Sequence, residues 1–183
     1  MTPRSVGVFC GSKIGARPEY AAAAVELGRL LATRGIRLVY GGGSSGLMGV
    51  IADACLQAGG EVVGVMPRLL VDREVAHLGL TKLHIVETMH ERKALMADLS
   101  DAFVAMPGGI GTFDELFEII TWRQIGFHSK PFVFLNVAGY YDPLLALADH
   151  AVSEGFLGQA HRAMLVSESD PARMLEMFSL LSN

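Results

Sequence analysis

Ala102-Phe-Val-Ala-Met-Pro-Gly-Gly-Ile-Gly-Thr-Phe-Asp-Glu115 joins three kinds of sequence in one stretch. The apolar run Ala102–Met106 reads as a strand buried on both faces. A glycine-rich turn follows at once, and an apolar-periodic helix is expected from Thr112, its body over Phe113–Gly126. A turn of this kind lays amide N–H groups against an anion at the positive end of a helix. It also puts Glu115 in the first helical turn, beside whatever the loop holds. A phosphate cradle with a carboxylate next to it points to chemistry on a phosphorylated small molecule.

The same strand–turn–helix unit recurs on both sides of this stretch. Val6–Cys10, Ile36–Tyr40, Glu61–Met66, Leu83–Val86 and Phe132–Asn136 read as further short, mostly apolar strands. Helical patterns lie near Pro18–Thr33, Leu47–Ala58, Met89–Leu99, Pro143–Glu154 and Pro171–Leu181. Asp142-Pro143 and Asp170-Pro171 each spell an N-cap followed by proline at the first helical position. Alternation of this kind predicts a three-layer, Rossmann-like, doubly wound parallel sheet with helices on both faces. It is expected to form one domain over residues 1–183. Ligands of such sheets bind at the carboxyl ends of the strands, where the glycine turns fall: Gly11-Ser12, Gly41-Gly42-Gly43 and Gly108-Gly109.

Composition narrows the function. The chain is 51% apolar and 19% charged, as a globular protein is, and its net charge of -4 gives no support to a general nucleic-acid role. Two cysteines, Cys10 and Cys55, make no disulfide framework and no metal spacing. The six histidines are scattered, so no metal is expected, and a serine triad is unsupported. Val6–Cys10 is too short for the apolar core of a signal peptide, and no apolar run approaches the roughly 18 residues of a membrane span. A cytoplasmic protein is expected.

Each motif has a functional reading and a structural one. In Gly41-Gly-Gly-Ser-Ser-Gly-Leu-Met-Gly49, three successive glycines let the backbone approach a ligand closely, which makes Gly42, Gly43 and Gly46 binding candidates together with Ser12. The alternative is a tight turn packed on the sheet. The stretch lacks the lysine of a P-loop. Thr112-x-x-Glu115 fits a capping box, in which Glu115 reaches back to the Thr112 amide. Against that, Gly108, Gly109 and Gly111 are more glycine than a cap requires, and Asp114 beside Glu115 places negative charge where an anion would sit. Thr88-x-x-Glu91 is a second capping box, which puts Arg92 and Lys93 in the first turns of a helix, against its macrodipole. An anionic ligand would offset that; a solvated pair bridged to Glu91 or Asp98 is the alternative. Met48, Met89 and Met106 either fill the core or wall a base pocket, and Trp122 reads as core or interface.

With these motifs laid out, the chain resembles the Lonely guy family, the cytokinin riboside 5′-monophosphate phosphoribohydrolases also described as possible lysine decarboxylases. The resemblance runs over nearly the whole chain. It includes Phe9-Cys-Gly-Ser12, Gly41 to Gly49, Met89-His-Glu-Arg-Lys93 and Pro107-Gly-Gly-Ile-Gly-Thr-Phe-Asp-Glu115. Ile120-Thr-Trp-Arg-Gln-Ile-Gly126, Leu135-Asn-Val-Ala-Gly-Tyr-Tyr-Asp142 and Glu154-Gly-Phe-Leu157 continue it, and Lys13 is a minor departure where many members carry a small polar residue. The resemblance implies hydrolysis of the N-glycosidic bond of a nucleoside 5′-monophosphate to free base and ribose 5-phosphate. It makes Arg92 and Glu115 the catalytic pair. It makes Gly108 to Thr112, with Gly109 and Gly111 between them, the phosphate loop, and brings Glu74, Met89 and Lys93 into the substrate shell. It also implies a homodimer or larger homo-oligomer, with no metal or organic cofactor. Decarboxylation is the weaker inheritance, since nothing in the chain spells a pyridoxal phosphate lysine.

The chemistry fits the residues without the family. Departure of the base leaves an oxocarbenium-like ribosyl centre, which a carboxylate can stabilise while it orients or deprotonates water. Arginine suits holding phosphate or ribose oxygens against that carboxylate. Two competitors share the glycine turns. A non-catalytic carrier or sensor of a phosphorylated nucleotide or cofactor needs no Arg92–Glu115 pair. A dinucleotide oxidoreductase needs an acidic residue closing the second strand, where Tyr40-Gly41 stands. Base preference, and direct water attack against a covalent ribosyl intermediate, stay open.

Overall fold

The computed structural model describes residues 3–71 and 76–181. Among them, seven strands form one sheet: β1 (Ser5–Phe9), β2 (Arg37–Tyr40), β3 (Val62–Pro67), β4 (Lys82–Val86), β5 (Ala102–Ala105), β6 (Phe132–Leu135) and β7 (Val166–Glu168). The helices are α1 (Pro18–Thr33), α2 (Gly46–Gln57), α3 (Arg68–Val71), α4 (Met89–Leu99), α5 (Ile110–Gln124), α6 (Asp142–Ser153), α7 (Gln159–Arg162) and α8 (Pro171–Leu181). A 3-10 turn covers Val137–Gly139.

The strand order is β4-β3-β2-β1-β5-β6-β7, with every pairing parallel. The chain winds outward from β1 to one edge and then restarts on the other side of β1 with β5. That reversal opens a crevice beyond the carboxyl ends of β1 and β5, where a doubly wound sheet takes its ligands. Pairing of Phe9 with Ala105 brings both strands to the rim together.

Alternation along the strands sends side chains into two cores. On one face Val6, Val8, Leu38 and Val104 pack against Leu27 and Leu31 of α1, Ile51 and Cys55 of α2, and Met174 and Phe178 of α8. On the other, Phe9, Phe103, Phe132 and Phe134 meet Met96 of α4, Leu116 and Ile119 of α5, and Tyr141. Each fully buried Leu, Ile or Phe stabilises the fold by about 1.5–3 kcal/mol, so the sheet is held from both sides. β4 closes one edge with Lys82 exposed, which discourages further strand pairing.

Three helices have the bounds read from the sequence: α1, α4 and α8. Elsewhere the structure corrects the reading. β7 adds a strand the pattern did not show, because Val166-Ser-Glu168 is a half-covered edge with little apolar signal. α5 starts at Ile110, with Gly109 as its N-cap, ahead of the expected Thr112. Thr112 is therefore a buried residue of the first turn, not a cap, and the Thr112–Glu115 capping box does not form. Asp142 stands inside α6 after the N-cap Tyr141, and its carboxylate accepts from Asn136 Nδ2 at 2.6 Å instead of capping. Asp170 does cap its helix, its carboxylate accepting from the Arg173 amide at 2.9 Å.

Candidate active site

The three glycine turns meet at the rim and are stitched together by their own backbone. Gly11 N–H donates to the Pro107 carbonyl at 3.0 Å, and the Gly11 carbonyl accepts from Leu47 N–H at 3.0 Å. Between them opens a cavity of about 380 Å³, a size suited to a small organic ligand. Ser12 and Lys13 lie on one side, Gly108 to Thr112 on another, and Arg92 and Glu115 also line it. The first turn of α5 faces this space. Amides at the start of a helix have no carbonyl of their own helix to bond, and they carry the positive end of the macrodipole. Nothing but backbone stands at Gly109 and Gly111, where an added Cβ would meet no other atom within 4 Å.

Arg92 reaches the cavity because α4 begins where it does. The Thr88–Glu91 capping box forms: Thr88 Oγ1 accepts from the Glu91 amide at 3.1 Å, and Glu91 Oε2 accepts from the Thr88 amide at 3.3 Å. One residue later, Arg92 turns inward beneath the strand ends and is 6% exposed. Its Nε donates to the Val65 carbonyl at 3.0 Å and its Nη2 to the Gly41 carbonyl at 3.4 Å. Nη1 pairs with Glu115 Oε1 at 3.2 Å, and Glu115 is 8% exposed. A buried ion pair costs desolvation that an apolar pair of like volume would not. Its place on a cavity wall is what a functional role accounts for.

Lys93, the neighbouring cation, points elsewhere. Its ammonium sits 3.2 Å from Asp114 Oδ2 and also bridges Glu118, bracing α4 to α5 beside the Arg92–Glu115 pair. Burial alone would lower the Lys93 pKa; hydrogen bonds and charge from Glu118 and Asp114 hold it above its ordinary value. The partners of Lys93 are thus carboxylates of α5, neither the anionic ligand nor the Glu91 or Asp98 of the alternative reading.

Cys10 lines the cavity as a buried thiol. Burial, reinforced by the Glu115 charge, pushes its pKa far above the usual range. It stays a protonated, apolar wall and is no thiolate nucleophile. Among the described residues, no group of three His, Cys, Asp or Glu side chains is placed to hold a metal ion.

Of the residues singled out from the sequence, the cavity gathers Ser12, Arg92, Gly108, Gly109, Gly111, Thr112 and Glu115, with Met48 on its wall. Gly42, Gly43, Gly46, Met89, Lys93 and Met106 are not on that wall. Gly42 (φ +83°) bends the turn, Gly43 bridges to Ala76, and Gly46 (φ +59°) packs on the backbone of Ser12. Met89 keeps its sulfur 4.0 Å from Arg92 Nη1. Glu74 lies outside the described residues. Trp122 packs half-buried against the second core. Sequence reasoning missed Cys10, Tyr20 and Tyr140 as cavity residues. The paired Tyr140-Tyr141 after a glycine was the available signal, but nothing local says which backbone a tyrosine hydroxyl will reach.

Comparison with known proteins agrees in sequence and in fold. Residues 48–178 match the family described as "Possible lysine decarboxylase". A cytokinin riboside 5′-monophosphate phosphoribohydrolase of Rhodococcoides fascians is 51% identical over 166 residues, covering 90% of this chain and 84% of that protein. The Arabidopsis thaliana cytokinin riboside 5′-monophosphate phosphoribohydrolase LOG1 is 50% identical over 164 residues, covering 90% and 77%. Among solved structures, the molybdenum cofactor carrier protein of Chlamydomonas reinhardtii superposes with a TM-score of 0.73 at 22% identity, over 97% of each chain. At that identity the likeness is one of fold.

Proposed function

We propose a reaction from one premise: this chain belongs to the "Possible lysine decarboxylase" family, alongside its cytokinin riboside 5′-monophosphate phosphoribohydrolases. It is an N-glycosyl hydrolase that cleaves nucleoside 5′-monophosphates of the cytokinin or adenine type to free base and ribose 5-phosphate. The observation that carries the site assignment is the buried Arg92–Glu115 pair, 3.2 Å apart, on the wall of a cavity that also takes in the first turn of α5.

In this reading the 5′-phosphate rests on the amides at the start of α5, whose dipole favours the anion. Binding energy from that remote group holds the ribose over Glu115. The bond from C1′ to the base nitrogen breaks with its electron pair leaving on the base, and positive charge spreads over C1′ and the ring oxygen. The Glu115 carboxylate stabilises that charge. It then takes a proton from water as the water oxygen bonds to C1′, and releases that proton to solvent while the departing base anion takes one up, which restores the carboxylate. Arg92 acts first on Glu115. With Nε on Val65, Nη2 on Gly41 and Nη1 on Glu115, its guanidinium fixes the direction of the carboxylate. What remains of its five donors is left for ribose oxygens.

The test incubates purified protein with adenosine 5′-monophosphate and with its N6-isopentenyl form, and follows free base by chromatography. Wild type should release base, and Glu115→Gln and Arg92→Ala should each lose about 10²–10⁴-fold in kcat. Tight nucleotide binding without base release, unchanged in Glu115→Gln, would instead identify a carrier.

We also propose that the chain works as a homodimer or larger homo-oligomer in the cytoplasm. Phe117 (48% exposed) and Ile125 (61%) on and just after α5, with Phe127 (79%) following, support a self-association surface. Light scattering at working concentration checks it, a monomer mass being the refuting result. Free, buried Cys10 and Cys55 suit a reducing compartment. The net charge of -4 gives no basis for binding nucleic acid, and none of the described helices is long and apolar enough to cross a membrane.

A further inference from the structure

The glycine loop has carbonyls as well as amides, and a carbonyl turned toward a phosphate repels it. In this structure four successive carbonyls of the loop are each claimed by a donor of the protein. Met106 O accepts from the Tyr141 hydroxyl at 2.6 Å, Pro107 O from Gly11 N–H at 3.0 Å, Gly108 O from the Tyr140 hydroxyl, and Gly109 O from Phe113 N–H at 3.0 Å. No peptide bond among the described residues is cis. In a trans peptide the N–H points opposite to the C=O. Holding the Gly108 carbonyl toward Tyr140 therefore turns the Gly109 amide the other way, and the Pro107 carbonyl does the same for the Gly108 amide.

Tyr140 is aimed by a turn that stores strain to do so. Ala138 sits at φ +53°, in the left-handed region, at a cost of about 1–2 kcal/mol for a residue with a Cβ. Such strain persists only where the surroundings over-determine it, and here they do. The Asn136 side chain donates to Asp142 Oδ1 at 2.6 Å and accepts from the Tyr141 amide at 2.7 Å, while the Asn136 amide donates to Glu168 O at 2.8 Å. Aromatic contacts then fix the ring: Tyr140 meets Tyr20 edge-on at 5.9 Å and Tyr141 at 5.0 Å. Burial raises the Tyr141 pKa, so its phenol remains a donor.

We propose that Tyr140 is a positioning residue for the phosphate site: by holding the Gly108 carbonyl, its hydroxyl sets the direction of the amide that receives the 5′-phosphate. This rests on the phosphoribohydrolase reading. It adds that anion affinity is set from outside the loop, by the Asn136–Asp142 turn.

Tyr140→Phe keeps the ring and its packing and removes only the hydroxyl. Calorimetry with ribose 5-phosphate should show affinity about tenfold weaker, the size of one hydrogen bond. KM for adenosine 5′-monophosphate should rise about as much with kcat within about twofold, and affinity for unphosphorylated adenosine should not change. Tyr140→Ala should weaken ribose 5-phosphate at least as far. Ribose 5-phosphate affinity unchanged in Tyr140→Phe overturns the role, as does a loss shared equally by adenosine; a loss confined to Tyr140→Ala would show that the ring acts by packing alone. If wild type releases base while Tyr140→Phe is indistinguishable from it, only the positioning role falls. If wild type neither binds ribose 5-phosphate nor releases base, both readings fall together.

Discussion

The turn after β2 and the turn after β5 are built from the same residue, yet a Cβ grafted onto each would meet different matter. At Gly41 it would sit on Arg92 Nη2, and at Gly46 on the backbone of Ser12 and Lys13. At Gly109 and Gly111 it would meet nothing. The first turn is glycine-rich so that protein can approach it: an arginine on one side, a neighbouring turn on the other. The second keeps open space in front of its two free glycines. A run of glycines therefore shows that something comes close to the backbone without showing whether that something is the protein or its ligand. In this chain the protein is the answer at the turn after β2, while the proposed phosphate site would make the ligand the answer at the turn after β5.

Substitution can break that comparison or sharpen it. Gly46→Ala should have the largest effect, because the residue would need both a left-handed backbone (φ +59°) and the space of Ser12. A loss of about 3–5 kcal/mol is expected, seen as a fall in Tm of roughly 10 °C; a Tm within about 2 °C of wild type would mean the turn yields freely. Gly41→Ala comes next, and its damage should be to the chemistry. Displacing the guanidinium should lower kcat/KM about a hundredfold, or about 2.7 kcal/mol, with a smaller change in Tm. Retained kcat/KM would show that Arg92 tolerates a shift, and that its contact with the Gly41 carbonyl is incidental. Gly109→Ala should do least. Stability should stay within about 1 kcal/mol, while KM rises about tenfold as the methyl enters the space in front of the amides. Equal KM for the variant and wild type would remove the phosphate from this loop and erase the contrast between the turns.

The sheet was largely legible because strands buried on both faces carry a near-continuous apolar signal, and because α1, α4 and α8 have clear edges. β7 escaped because Val166-Ser-Glu168 is half-covered and polar at two of its positions. The early start of α5 escaped because Ile110-Gly111 has poor helix propensity and no side-chain cap; the Phe113 N–H to Gly109 O bond begins that helix. At the candidate site, the resemblance named Arg92 and Glu115 as a pair, but no local pattern showed that their side chains touch. The capping pattern assigned Glu115 to Thr112, and only the convergence of α4 and α5 assigns it to Arg92. Likewise Lys93 looked like a ligand-facing cation until Asp114 and Glu118 arrived from the next helix. Tyr140 was invisible for a different reason. Its partner is a main-chain carbonyl 32 positions away, and a carbonyl leaves no trace in sequence.

Arg92 belongs to α4, touches the backbone of β3 through Val65 and the end of β2 through Gly41, and ends on Glu115 of α5. One side chain thus samples four elements separated in the chain, and the carboxylate is aimed only when all four have docked. A chain in which any one of the four is undocked carries every residue of the site and no aim. The site thus depends on tertiary docking as a whole, and not on the presence of its residues alone.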